Sequence, residues 1–159
     1  MREILEILEK NSKLTVEEIS AMTGKTVMEV AAAIDSYEEN GTILGYKAMV
    51  NWDRTDRDYV TALIEVRLTP QRDKGFDRIA ARIYRFQQVK ACYLMSGSYD
   101  LTVIVEGANL REVAMFVSEK LSVIDGVLST ATHFVLKKYK DGNMLFEIND
   151  DDDREAIVL

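Results

Sequence analysis

Residues able to do bond-making chemistry are few. Among 159 residues there is one histidine, His133, and one cysteine, Cys92. A single cysteine excludes a disulfide framework and a thiolate metal cage. Cys92 sits between Ala91 and Tyr93 and reads as a small core residue. No phosphate-cradling glycine loop, no G-x-S-x-G nucleophile turn and no dinucleotide fingerprint occurs. We therefore expect neither an enzyme nor a metalloprotein, with no cofactor and no metal. Asp150-Asp151-Asp152-Asp153 has charge enough for calcium but lacks the glycine and terminal glutamate of an EF-hand loop. The remaining polar chemistry lies on turns and helix faces. Ser96-Gly97-Ser98 followed by Asp100 reads, on its residues alone, as a hairpin turn whose aspartate bonds local backbone donors.

The elements that must position these groups follow from composition and pattern. The chain carries 20 Lys+Arg against 27 Asp+Glu, a net charge of −7, and is 47% hydrophobic. That supports a packed core and one ordinary domain or two small ones. No apolar run approaches the roughly 20 residues of a membrane span. The start, Met1-Arg2-Glu3-Ile4-Leu5, is unlike a signal peptide. The expected setting is the cytoplasm, away from membranes. An acidic chain is a poor candidate for nonspecific nucleic-acid binding, but the acidity is local. Residues 141–159 hold seven acids and one Arg, so the other 140 residues sum to −1. Residues 67–90 hold seven bases and two acids. Arg78, Arg82 and Arg85 fall on one helical stripe there, and the acidic tail is expected to dock near it.

Residues 1–50 read as three short helices and a hairpin. Ile4, Leu5 and Leu8 share a face of the first. Thr15-Val16-Glu17-Glu18 has the capping-box form, in which Glu18 reaches back to the N-terminus that Thr15 caps. Gly24 ends that helix, where a residue tolerating positive φ is wanted. Thr26-Val27-Met28-Glu29 repeats the box and opens a third helix. Its expected apolar face is Val27, Val30, Ala31, Ile34 and Tyr37. Residues 42–50 form two β-type runs around Gly45. Helix, helix, tight turn, helix, hairpin is the winged helix-turn-helix pattern. Residues 51–58 are a polar linker.

From Tyr59 the pattern changes. A β-branched strand, a helix over 73–86, two strands at 89–96 and 99–106, a helix capped by Asn109 and a strand from Leu128 to Tyr139 give the order β-α-β-β-α-β. That is the ferredoxin-like split unit, spanning 59–140 and followed by the tail 141–159. The fold class is thus α+β. Two helices cover one face of such a sheet, yet Ala91, Tyr93 and Met95 alternate with the equally apolar Cys92 and Leu94. An apolar face without a helix needs a partner surface, so a homodimer through this domain is expected.

The whole resembles the Lrp/AsnC (feast/famine) family. Gly41-Thr42-Ile43-Leu44-Gly45-Tyr46 is similar to the family's G-x-I-x-G-Y entry to the wing. Ala91 to Leu101 is similar to its C-Y-x-x-S/T-G-x-x-D-Y strand-turn-strand. The resemblance covers roughly residues 1–148. It implies a transcriptional regulator that binds double-stranded DNA, assembles as dimers and often octamers, and senses a small effector, an amino acid, between dimers through a RAM-type domain. It places the effector at Ser96, Gly97, Ser98, Tyr99 and Asp100, with Thr132, His133 and Phe134 of the last strand. A Gly turn lets backbone N–H groups close on a carboxylate, and Asp100 can receive an α-ammonium group. The plain hairpin turn remains the alternative.

The third helix departs from the family. Residues 26–40 contain no Lys or Arg. Its expected outward residues are Thr26, Met28, Glu29, Ala32, Ala33 and Ser36. Thr26 and Ser36 can bond phosphates, Met28, Ala32 and Ala33 can touch thymine methyls, and Glu29 can accept from cytosine N4. The charge that dominates affinity must come from Lys13, Lys25, Lys47, Arg54 and Arg57 beside the groove. Low affinity per head, recovered by multivalency, is the expectation. The alternative is a ligand-binding oligomer that has lost strong DNA binding and acts through protein partners.

Overall fold

The computed structural model describes residues 2–69 and 75–146. The expectations for the start of the helix at 73 and for Asp150–Asp153 lie outside these residues. The chain divides into two compact units, Met1–Met49 and Val50–Leu159.

The first unit is built from α1 (Arg2–Lys10), α2 (Val16–Thr23) and α3 (Val27–Glu39). Both capping boxes form. Thr15 accepts from the Glu18 N–H while Glu18 accepts from the Thr15 N–H, and Thr26 and Glu29 repeat the exchange. These bonds satisfy helix-start donors that have no partner within the helix. Gly24 stops α2 in the left-handed region at φ +68°. The Ser20 hydroxyl donates to the Lys25 carbonyl at 2.6 Å, which ties the turn between α2 and α3. Ile4, Leu8, Ile19, Val30 and Ala33 form the buried core, with Leu14, Val16, Ile34, Tyr37 and Ile43 packed against it. Val27, expected on the apolar face, is exposed.

The expected hairpin at 42–50 is corrected. Residues 44–50 adopt no regular secondary structure, and Leu44 is 95% exposed. Two strands alone gain few bonds against their ordering entropy. The segment is instead fastened to α3. The Ile43 N–H donates to the Tyr37 carbonyl at 2.9 Å, and the Tyr46 hydroxyl donates to Glu38 Oε1 at 2.8 Å. Desolvation, with the Glu38 carboxylate second, raises the Tyr46 pKa above the ordinary phenol value, so the phenol remains the donor.

The second unit opens with a short 3-10 turn, Trp52–Arg54. Then follow β1 (Val60–Leu68), α4 (Gly75–Ile83), β2 (Val89–Leu94), β3 (Leu101–Gly107), α5 (Leu110–Phe116) and β4 (Val127–Phe134). This is the expected β-α-β-β-α-β order. After Phe116 the helix runs on through a π turn, Val117–Leu121. A small hairpin, β5 (Lys140–Asp141) and β6 (Met144–Leu145), comes last. The sheet is antiparallel with strand order β2-β3-β1-β4.

Ala62, Ile64 and Val66 of β1 and Leu101, Val103 and Val105 of β3 pack with Ile79 and Ile83 of α4 and with Val113, Phe116, Leu121 and Ile124. Phe86 meets Phe116 edge-on, with centroids 5.4 Å apart. Cys92 and Phe134 also pack on this core. Burial pushes the Cys92 thiol pKa up, so it stays a neutral packing group.

The opposite face carries the alternate residues. Register places Leu63 against Ile104 and His133, Glu65 against Thr102 and Ala131, and Tyr93 against Thr102. The face is therefore mixed rather than wholly apolar: the aliphatic pair Leu63 and Ile104 has polar neighbours. His133 Nε2 lies 3.4 Å from Glu65 Oε1. Thr61 belongs to the same row, is 7% exposed, and buries its Oγ1 without a hydrogen-bond partner. An unsatisfied buried hydroxyl costs about 1 kcal/mol or more. Thr61→Val should raise the urea midpoint, a gain of about 1 kcal/mol at unchanged slope. A lower midpoint would mean that the hydroxyl is bonded in the assembled protein.

Candidate functional site

α3 presents two faces. Val30 and Ala33 point into the core of the first unit, while Met28, Glu29, Ala32 and Ser36 face outward. Met28 is 83% exposed. Ala33 corrects the expectation of a base contact: it is 2% exposed, packed in the core with Ile4, Ile19 and Val30. A buried methyl cannot reach a groove.

Two further expected contacts are committed to the cap. The Thr26 hydroxyl donates to Glu29 Oε2 at 2.7 Å and accepts from the Glu29 N–H at 3.2 Å. The Thr26 N–H donates to the same Oε2 at 2.8 Å. These bonds, the backbone one foremost, hold the Glu29 pKa below the ordinary carboxylate value. A folded pKa lowered this way contributes stability above the unfolded carboxylate value, and that contribution is lost as pH falls through the folded one. The start of α3 should accordingly loosen in acid, with faster exchange of the Thr26 and Glu29 amides than in Glu29→Gln at the same pH relative to neutral. Equal acid sensitivity in the two proteins would contradict this.

The cations are dispersed. Lys13 and Lys47 are exposed and Lys25 is half-buried in the first unit. Arg54 falls in the second unit. The Arg57 guanidinium lies 4.4 Å from the centroid of Trp52, a cation–π contact that competes with any phosphate role.

In the second unit, the 96–100 turn joins β2 to β3. The Met95 N–H donates to the Asp100 carbonyl at 2.8 Å and closes it. Ser96, Gly97 and Ser98 are exposed. Gly97 has φ +129°, and a Cβ there would meet nothing within 4 Å, so the space above the turn is open. Asp100 has a structural task. Its Oδ2 accepts from the Leu68 N–H at 2.7 Å, and its N–H donates to the Val66 carbonyl at 3.0 Å. The β1–β4 register shifts between Arg67 and Leu68, and the carboxylate takes up a donor at that irregularity. The Tyr99 hydroxyl accepts from Thr102 Oγ1 at 3.2 Å.

One chain does not bring the expected effector residues together. Thr132 pairs with Ile64 and Phe134 with Ala62, both on the helix-covered face, whereas His133 pairs with Leu63 on the open one. The turn bonds β1 at Val66 and Leu68, further along the strand, where the β4 partners are Thr130 and Val127. Reasoning from sequence missed the Ser20, Tyr46 and Glu65 contacts. A capping box leaves a local signature, but these contacts join turns or different strands and leave none. Among the described residues no group of three or more His, Cys, Asp or Glu could hold a metal ion.

Comparison with known proteins matches both units. Residues 61–145 match the family model described as the Lrp/AsnC ligand binding domain, and residues 1–43 match winged helix-turn-helix DNA-binding. The HTH-type transcriptional regulator YugG of Bacillus subtilis is 52% identical over 156 residues, 98% of this chain and 94% of its own. The proline dehydrogenase transcriptional activator of Rhodobacter capsulatus is 31% identical over 142 residues, 89% and 92% of the two chains. Among solved structures, a Neisseria meningitidis transcriptional regulator in complex with L-Met has a TM-score of 0.72 at 23% identity, over 87% of this chain and 89% of that one. The Escherichia coli AsnC structure has a TM-score of 0.67 at 22% identity, over 86% and 90%. The capped α2–turn–α3 arrangement, the β-α-β-β-α-β sheet and these matches along nearly the whole chain lead to one conclusion: the chain belongs to the Lrp/AsnC family of transcriptional regulators.

Proposed function

We propose that this regulator reads double-stranded DNA with the outward residues of α3, as a homo-oligomer joined through the open sheet face, under control of an amino acid. The observation that carries the reading is the capped α2–turn–α3 arrangement, whose packing through Val30 and Ala33 leaves Met28, Ala32 and Ser36 exposed on α3. Met28 and Ala32 suit thymine methyls and Ser36 a phosphate. With no Lys or Arg in residues 26–40, each head binds weakly. Two or more heads on one assembly raise affinity by effective concentration. The reading as a ligand-binding oligomer that has lost DNA is less favoured, because that outward face is still presented. The protein acts as a binding protein without catalysis, in the cytoplasm; among the described residues no helix is long and apolar enough to cross a membrane.

The effector site is proposed at the 96–100 turn, where Ser96, Gly97 and Ser98 offer backbone N–H groups to a carboxylate. Its other wall comes from a second copy, since His133 lies on the open face, away from Thr132 and Phe134. The Neisseria meningitidis regulator and a Mycobacterium tuberculosis feast or famine protein are both known as L-methionine complexes, which makes an amino acid the ligand class to test. Thermal melting and fluorescence anisotropy on the DNA upstream of its own gene, with each of the twenty amino acids, test both halves. A ligand at a hundredfold excess over Kd stabilises by about 2.7 kcal/mol and should shift the anisotropy midpoint. No melting shift with any amino acid would refute the sensing half, and no DNA binding would refute the reading half.

A further inference from the structure

We infer that the acidic tail, residues 147–159, docks in a basic-rimmed groove on the helix layer of the second unit. The groove runs between the end of α4 and the π-turned end of the helix that begins as α5. Arg82, Arg85 and Lys120 line it together with Phe86, Val123 and Ile124; Glu119 is the opposing carboxylate. Arg82, Arg85 and Lys120 are exposed, and Lys120 Nζ lies 5.9 Å from the Phe86 ring centroid. Val123, a large aliphatic side chain, is 68% exposed. The groove therefore offers cations beside an exposed aliphatic side chain. Arg78 extends the positive stripe one turn back along α4.

The tail has the complementary order. Asp150–Asp153 and Glu155 supply the charge; Ile148 on one side and Ile157-Val158-Leu159 on the other supply apolar side chains. A phosphate backbone would satisfy the rim but leave Val123 uncovered, so the tail fits better than nucleic acid. Chain connectivity sets where the tail starts. Phe146 is anchored to its own unit, its N–H donating to the Tyr139 carbonyl at 2.9 Å and its carbonyl accepting from Asn51 Nδ2 at 3.2 Å. Asp150–Asp153 lie four to seven residues beyond it, a reach of about 13–25 Å when extended. Several charges meeting across the groove do what one exposed pair does not, and the interaction weakens as salt screens it.

A zero-length carbodiimide cross-link on the full chain, mapped by mass spectrometry, tests this. The expected product joins Lys120 to an acid among residues 147–155. Its yield should fall roughly tenfold in about 0.5 M salt and likewise in Arg82→Glu/Arg85→Glu. Both arginines are exposed, so that variant keeps the fold, and the salt arm needs no substitution. Absence of the Lys120–tail product, or a yield indifferent to both the salt and the double substitution, overturns the proposal. A double variant that weakens DNA binding while no tail product forms in the wild type also overturns it, assigning the groove to nucleic acid.

Discussion

Ala33→Glu should unfold the DNA-reading unit, while Ala32→Glu, one residue earlier, should leave it folded and abolish its function. Ala33 is 2% exposed among Ile4, Ile19 and Val30. A carboxylate there is a buried charge without a partner, costing about 3–5 kcal/mol. A unit of fewer than fifty residues has little stability to spare. Ala32 is exposed on the same helix, and Glu is nearly as good a helix former as Ala. Its melting should stay within about 0.5 kcal/mol of wild type. Facing DNA, however, the new carboxylate meets phosphates of like charge, and affinity should drop roughly a hundredfold or more. Circular dichroism with anisotropy separates the two effects. Equal melting of both variants would mean that α3 is rotated from the orientation described.

These neighbouring alanines also show where legibility stops. The helix starts were readable because Thr15 with Glu18 and Thr26 with Glu29 are local codes, and Gly24 marks the only tight turn between them. The strand and helix order of the second unit followed from alternation and helical periodicity. Ala32 and Ala33 offer no hydropathy contrast, and only the packing of α3 on α1 and α2 decides which is buried. β2 posed the same problem, since both parities of Ala91-Cys92-Tyr93-Leu94 are apolar and pairing with β3 alone sets the phase. Residues 42–50 have β propensity but no third strand to pair with. Asp100 looked like a ligand for an amine, yet its carboxylate serves Leu68, 32 residues away, a contact no local pattern announces.

Ile104→Glu should separate the copies without unfolding either. Ile104 lies opposite Leu63 on the central strands β3 and β1, half-buried on the face without helices. In one chain the new side chain can reach water, so the helix-side core keeps its packing. Between two copies it would bury a charge at the centre of the contact. Losing the second head removes the multivalent gain, roughly a hundred- to ten-thousandfold in DNA affinity. Tyr93→Glu, at an exposed position on the same face, should act in the same direction. A variant that sediments like wild type would place the contact elsewhere.

On the proposed function, an open sheet face pairs copies of the chain and so pairs their α3 helices. Sedimentation equilibrium of the wild-type protein at low micromolar concentration tests it most directly, run beside Ile104→Glu. The expected result is twice the mass of one chain, or a multiple of that, for the wild type and a single chain for the variant. A single-chain mass for a wild type that binds its DNA at full affinity would contradict it.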